Sequence, residues 1–151
     1  MRFLPLLNIT LFSALLLAPK PVEAQNAPRL NHIAVYVNDL QLMTKFYQNI
    51  VGLDTVPEPF RDGRHTWFSV AEYSNLHLIQ GAAAISVHDK NSHLCFSVPS
   101  VNDYIKTLVK NKVPYEAWNG TANSVTNRVD GVKQIYFKDP EGFWIEINDD
   151  K

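Results

Sequence analysis

The stretch Asn31–Leu40, N-H-I-A-V-Y-V-N-D-L, returns in outline as Ser92–Val101, S-H-L-C-F-S-V-P-S-V. His32 corresponds to His93, and after each histidine every second residue is hydrophobic, as in a strand with one buried face. Polar residues that can begin a helix follow both strands. The repeat predicts two copies of one module, each with a histidine near the start of its first strand.

The ends of the two halves are also related. His77 in the strand Leu76–Gln80 corresponds to Glu146 in the strand Phe143–Asn148. The duplication therefore predicts four candidate ligands, in two pairs of equivalent positions: His32 with His93, and His77 with Glu146.

Bulk composition is that of one globular domain with a substantial core. The chain has 151 residues, 46% of them hydrophobic and 19% charged, and its formal net charge is -1. This balance provides neither a basic surface for nucleic acid nor a polybasic patch for a membrane. Neither is therefore expected as a partner of the folded domain, and the expected partner is a small-molecule substrate.

The first residues have the pattern of a secretory signal peptide. A positive start is followed by the mostly apolar run Phe3–Ala18 and by small residues that end at Ala24. We therefore predict a signal peptide over residues 1–24 with cleavage near Ala24, a linker over 25–29, and export to the periplasm or the exterior. An uncleaved anchor is the alternative, although the run is short for a membrane span.

Each half is predicted to contain a strand, a helix and three strands. Asn38-Asp39 begins the first helix, which ends near Val51, and Ser100 begins the second, which ends before Pro114. Residues 119–131 are predicted to be a polar loop. The fold class is α+β: one domain over residues 30–149, whose two βαβββ modules (30–80 and 92–148) form a cup-shaped, curled mixed sheet with the helices outside.

Strand parity places all four candidate ligands on the same side of this sheet. Successive side chains of a strand point to opposite faces of the sheet. The hydrophobic residues next to the candidate ligands face the helices, so the candidate ligands themselves face the cavity. These hydrophobic neighbours are Ile33, Leu94, Leu78 and Ile145. Three imidazoles and one carboxylate suit a divalent ion such as Zn, Ni, Co, Mn or Fe. The sequence does not choose among these metals.

Several segments together resemble the vicinal oxygen chelate superfamily, which includes glyoxalase I, bleomycin-resistance proteins and extradiol dioxygenases. They are L-N-H-I-A-V-Y-V-N-D-L, K-F-Y-Q-N-I-V-G-L, S-H-L-C-F-S-V and V-K-Q-I-Y-F-K-D-P-E-G-F-W-I-E-I. The last is specific for the superfamily but not for a reaction. The sequence departs from glyoxalase I at His77, where glyoxalase I usually has Glu.

The resemblance implies a metal-dependent lyase or isomerase of glyoxalase I type. Its substrate would place two adjacent oxygens on the metal, and Glu146 would be the catalytic base that moves a proton through an enediolate-like intermediate. Trp67, Arg128, Gln134 and Tyr136 are the candidates for substrate binding. Superfamily members often form homodimers, so the metal site is expected either within one chain or shared between two.

Two other functions stay open at this point. One is a non-catalytic small-molecule binding or resistance protein, and the other is a metal-dependent dioxygenase or thiol transferase.

Three further residues are left outside the predicted metal site. Cys95 is interpreted as a buried small hydrophobe rather than a reactive thiol, His88 as a solvated loop residue, and His65 as either a rim residue or a simple strand residue.

Overall fold

The fold contains two β-sheets, each built by one half of the chain. The computed structural model describes residues 28–151, so the predicted signal peptide lies outside the described residues. Between residues 28 and 151, no helix combines the length and the apolar character that crossing a membrane requires. Both predicted modules fall within the described range.

The first half forms a four-stranded sheet in the order β1-β4-β3-β2. The pair β1 and β4 is parallel, and the remaining pairs are antiparallel, so the sheet is mixed. Its elements are β1 (His32–Val37), α1 (Leu40–Phe46) continuing as a π-helical turn (Tyr47–Val51), β2 (Thr55–Val56), β3 (His65–Ala71) and β4 (Ser74–Gln80).

The second half repeats the plan in the order β5-β9-β8-β6, with one additional short strand paired to β8. Its elements are β5 (His93–Ser97), α2 (Val101–Lys110), β6 (Tyr115–Glu116), β7 (Thr126–Asn127), β8 (Lys133–Lys138) and β9 (Trp144–Asn148). The prediction of a plain loop over residues 119–131 was wrong at β7. This strand is two polar residues long, so it has no alternation to reveal it and exists only because it pairs with β8.

Side-chain caps begin both helices as the sequence predicted. Asp39 Oδ1 accepts a hydrogen bond from the backbone N–H of Leu42 at 2.9 Å, and Ser100 Oγ accepts one from Asp103 at 3.2 Å. Gly52, with φ +87°, ends the π-helical turn in the left-handed region.

One hydrophobic core joins the two halves. The buried side chains of α1, α2 and both sheets belong to a single cluster that includes Met43, Tyr47, Phe68, Leu76, Leu108, Phe137 and Ile145. Polar contacts cross between the halves as well, because Glu141 accepts hydrogen bonds from the backbone N–H groups of Asn38 and Asp39. The α+β class with two mixed sheets is confirmed, and the curling of the sheets into a cup stays a prediction.

Candidate metal centre

The strand registers place the four candidate ligands at equivalent positions in the two sheets. His77 lies opposite Ala34 in the pair β1 and β4, and Glu146 lies opposite Cys95 in the pair β5 and β9. His32 and His93 each lie two residues before those partners, on the same strand face. We call the face that carries His32, Trp67 and His77 in the first sheet, and His93, Tyr136 and Glu146 in the second, the ligand face.

We call the pair His93 and Glu146 the C-terminal half-site of the candidate metal centre. His93 Nε2 lies 3.1 Å from Glu146 Oε2, and His93 Nδ1 lies 2.7 Å from the backbone carbonyl oxygen of Lys90. Because a carbonyl only accepts, Nδ1 carries a hydrogen and Nε2 is left for the carboxylate. Nε2 and Oε2 then both present electron pairs, so their 3.1 Å separation suits a cation that contacts both atoms, such as a metal ion.

A buried network holds the Glu146 carboxylate. Tyr136 donates its hydroxyl hydrogen to Oε2 at 2.6 Å, while its oxygen accepts from Gln134 Nε2 at 2.8 Å. Asn148 Nδ2 donates to Oε1 at 3.0 Å. Burial by itself raises the pKa of Glu146, but the hydrogen bonds from Tyr136, Asn148 and Cys95 and the nearby His93 bring it below its ordinary value. Glu146 is therefore ionised at neutral pH, which is the state that a ligand or a base requires.

We call the pair His32 and His77 the N-terminal half-site of the candidate metal centre, and their rings stack together with that of Trp67. The ring centroids of His32 and His77 are 4.4 Å apart, and those of His77 and Trp67 are 3.9 Å apart. His32 Nδ1 lies 2.9 Å from Asn31 Oδ1, an arrangement that leaves Nε2 free to bind an ion. The pKa of His77 is lowered by burial and by the nearby imidazoles of His32 and His65, which favours the neutral ligand form.

The two half-sites do not meet within one chain. Among residues 28–151, no three His, Cys, Asp or Glu side chains are grouped so that they could hold a metal ion. The structure thus pairs His32 with His77 and His93 with Glu146, and a common site for all four stays a prediction.

The donor atoms nevertheless suit a divalent metal. His77 Nε2 is buried, and the described residues offer it no hydrogen-bond partner, an arrangement that is unfavourable unless another group binds there. Both His32 and His93 have Nδ1 next to an oxygen acceptor, which is the outer contact that metal-bound histidines usually make. Neighbouring ligands about 2.0–2.2 Å from one metal lie roughly 3 Å apart, close to the separation of His93 and Glu146.

The predicted substrate-binding residues have different surroundings. Trp67, Gln134 and Tyr136 lie on the ligand face beside the half-sites. The guanidinium of Arg128 instead pairs with Asp130 and lies 3.8 Å from Asp150, at the edge of the second sheet.

Two further histidines have defined neighbours. His65 Nδ1 lies 2.9 Å from Asp62 Oδ1 and its ring packs on Phe60. His88 is half-buried and its ring packs edge-on against Phe143, so the prediction that it is solvated was incomplete.

The interpretation of Cys95 as a buried small hydrophobe was wrong. The residue is exposed, because its side chain lies on the ligand face of the edge strand β5, and its sulfur accepts a hydrogen bond from Asn148 Nδ2 at 3.1 Å. Partial burial of the thiol and the adjacent Glu146 charge raise the pKa of Cys95 to about 12. Cys95 is therefore a protonated thiol at neutral pH, which argues against nucleophilic chemistry.

Two residues that contact the half-sites received no role from the sequence. Asn148 has the parity of a ligand-face residue, but the pattern alone does not show its bond to Glu146. Lys90 contributes a main-chain oxygen, which no side-chain pattern identifies. The repeat does contain a signal for it, since Lys90 and Arg29 each stand three residues before a half-site histidine.

Comparison with a family model identifies the superfamily of the chain. The family model described as the glyoxalase/bleomycin resistance protein/dioxygenase superfamily matches residues 29–147, and the chain belongs to that superfamily. No curated protein matches the chain.

Solved structures share the fold at low sequence identity. A glyoxalase/dioxygenase from Nostoc punctiforme is 24% identical, with a TM-score of 0.66 over 87% of this chain and 97% of that one. The fosfomycin resistance protein FosX from Listeria monocytogenes is 22% identical, with a TM-score of 0.64 over 81% and 93%. A lactoylglutathione lyase from Agrobacterium tumefaciens is 18% identical, with a TM-score of 0.60 over 82% and 95%. At these identities the similarity establishes the fold alone.

Proposed function

We propose that the protein is a metal-dependent lyase or isomerase of glyoxalase I type, acting on a small substrate with two adjacent oxygens. The supporting observation is the His93–Glu146 pair, whose ligand atoms lie 3.1 Å apart with the outer nitrogen of His93 bound to a carbonyl. The equivalent positions of the first sheet carry a second pair, His32 and His77. Membership in the superfamily supports an oxygen-chelating reaction of this kind.

Each side chain has a role in this proposal. His32, His77, His93 and Glu146 would hold a divalent ion such as Zn, Ni, Co, Mn or Fe. Such an ion supplies a Lewis acid that stabilises negative charge on a substrate oxygen. Glu146 would accept and return the substrate proton at Oε2, while Tyr136 and Asn148 fix the orientation of its carboxylate. Trp67, Gln134, Tyr136 and Arg128 are proposed to orient the substrate.

A homodimer that completes the site is part of the same proposal. In one chain the ligand face carries one pair of candidate ligands on each sheet, and neither pair is sufficient for a closed metal site. A second copy can place its C-terminal half-site against the N-terminal half-site of the first. By symmetry, the arrangement produces two equivalent four-ligand sites.

Mixed dimers test this arrangement. One chain carries His32→Ala and His77→Ala, and the other carries His93→Ala and Glu146→Gln. Refolding the two together is expected to restore one bound ion per heterodimer, because one of its two shared sites is intact. Each variant alone should lack the four-ligand site. If the mixture binds no more metal than the separate variants, the ligands are not shared between chains.

Metal content and activity of the wild-type protein distinguish catalysis from simple binding. Elemental analysis is expected to find about one divalent ion per chain, and an activity screen would cover dicarbonyl thiol adducts, epimerisable acyl thioesters and catechols. For the substrate that is turned over, Glu146→Gln is expected to lower turnover about 100-fold or more when metal is retained. A protein that binds no divalent ion would instead support the non-catalytic binding protein. Dependence on oxygen or on an added thiol would support the dioxygenase or transferase.

Export is also proposed, on the pattern of residues 1–24. The substrate would then be an oxygenated metabolite outside the cytoplasm rather than an intracellular glutathione adduct. Intact-mass measurement on protein from the periplasm or medium should find a chain that begins near Gln25. A full-length chain retained in the membrane fraction would indicate an uncleaved anchor.

A further inference from the structure

The ammonium group of Lys90 lies in a cage of aromatic and acidic side chains beside the C-terminal half-site. Its Nζ lies 4.6 Å from the ring centroid of Trp144, 5.6 Å from that of Tyr136 and 5.9 Å from that of Trp118. It also forms an ion pair with Glu116 and donates to the carbonyl of Trp118 at 3.2 Å. The Lys90 side chain is only 17% exposed, so these interactions are screened less than those of a surface lysine.

The main chain of the same residue contacts the candidate ligand His93. The Lys90 carbonyl oxygen lies 2.7 Å from His93 Nδ1 and thereby determines which ring nitrogen carries the hydrogen. Local hydrogen bonds close the turn, since Ser92 N–H donates to the Asp89 carbonyl at 2.9 Å. The Lys90 side chain then ties this turn to β6 through Glu116 and to β9 through Trp144.

We infer that Lys90 is a positioning residue: its caged ammonium holds its own carbonyl in place, and the carbonyl holds His93 with Nε2 directed at Glu146. Residues 81–91 contain no helix or strand, so the cage replaces regular secondary structure as the support for this oxygen. The expected effect on metal binding rests on the proposed function, whereas the positioning of His93 by Lys90 does not. The side chain need not touch a substrate for this role.

The first module provides a natural comparison. Arg29 stands three residues before His32, as Lys90 does before His93, and its guanidinium lies 4.8 Å from the ring centroid of Tyr73. His32, however, has its Nδ1 beside the Asn31 side chain rather than a main-chain carbonyl. Removing the Arg29 cation should therefore leave the orientation of His93 unchanged, which makes it the matched control.

The experiment compares full-length Lys90→Met, Lys90→Arg and Glu116→Gln with the Arg29→Met control. Nitrogen-15 spectra of the histidine rings report the tautomer of His93, and titration with Co²⁺ reports metal affinity. In Lys90→Met, the Nδ1–H form of His93 is expected no longer to predominate. Co²⁺ binding should weaken about 10- to 100-fold, as it does when a metal-bound histidine loses its outer hydrogen-bond partner. Lys90→Arg should preserve the tautomer, because arginine keeps both the ion pair and the cation–π contacts.

Thermal melts show whether each variant is folded. If Lys90→Met does not fold, Glu116→Gln still tests the cage, because it keeps the lysine and removes only its charged partner. An unchanged His93 tautomer in a folded Lys90→Met or Glu116→Gln protein would overturn the inference. Failure of the wild type to bind Co²⁺ would contradict the proposed function, whereas the tautomer comparison would still decide the role of Lys90.

Discussion

At the scale of single residues, Glu146 shows how close neighbours keep a buried carboxylate charged. The carboxylate is 6% exposed, and an isolated charge at such a position would be strongly unfavourable. Hydrogen bonds from Tyr136 and Asn148 and the neighbouring His93 compensate for this burial. The charge is therefore retained in the protein interior, where its interaction with a metal ion would be stronger than in water.

Tyr136→Phe is expected to lower the free energy of unfolding by about 1.5–3 kcal/mol, the range for a buried hydrogen bond to a charged group. The substitution removes the hydroxyl that donates to Glu146 and leaves Gln134 Nε2 without its acceptor. Urea denaturation of the metal-free protein measures the change. Tyr36→Phe, at an exposed tyrosine, is the control and should change stability little; equal effects of the two substitutions would contradict the network.

At the scale of elements, the long, periodic segments were predictable and the short strands were not. Helix α2 has a cap, an apolar stripe and a following proline, all of which act within a few residues. β2 and β6 contain only two residues each, because pairing with β3 and β8 decides where they end. Hydrogen bonding to a partner strand is not encoded in the strand's own residues.

Ser100→Ala is expected to destabilise the protein by about 1 kcal/mol, because α2 loses the side-chain acceptor at its first turn. Chemical denaturation measures this effect. Ser100→Asp retains an acceptor and should recover most of the loss. If the alanine and aspartate variants are equally stable, the cap contributes nothing to α2.

At the scale of the whole molecule, the turn between β8 and β9 connects the halves. Glu141 accepts hydrogen bonds from Asn38 N–H at 2.8 Å and from Asp39 N–H at 2.7 Å, across the two modules. Asp139 accepts one from the buried hydroxyl of Tyr47 at 3.1 Å. The relative position of the modules is thus fixed by buried polar contacts as well as by the shared core.

Glu141→Ala is expected to reduce the free energy of unfolding by about 1–3 kcal/mol, because two backbone donors lose their acceptor. Glu72 is the matched control, since it occupies the equivalent position of the first module but is exposed. Glu72→Ala should have little effect on urea denaturation. Similar losses for both variants would show that the contact between modules is not the cause.

Stability should depend on pH through Asp139. Burial is the main reason why the pKa of this carboxyl is raised. It outweighs the hydrogen bonds that the carboxyl accepts from the Phe143 and Glu141 N–H groups and from Tyr47, which lower the pKa. With a raised pKa the folded state binds the proton more tightly, so this stabilisation is present at low pH and is lost as pH rises through the folded pKa. As pH rises from about 4, the ordinary pKa of an aspartate, through the raised folded-state pKa, wild type should lose stability relative to Asp139→Asn. Parallel pH profiles of the two proteins would contradict the prediction.

The sequence by itself determined the duplication, the element order and the side of each strand on which His32, His77, His93 and Glu146 lie. These features follow from chain periodicity, which is local and survives in a single sequence. Only the tertiary structure decided that the four candidate ligands divide into two pairs, that Cys95 is exposed and that the Lys90 carbonyl contacts His93. Distances between sheets and contacts to main-chain oxygens arise from how distant segments pack, and no spacing along the chain records them.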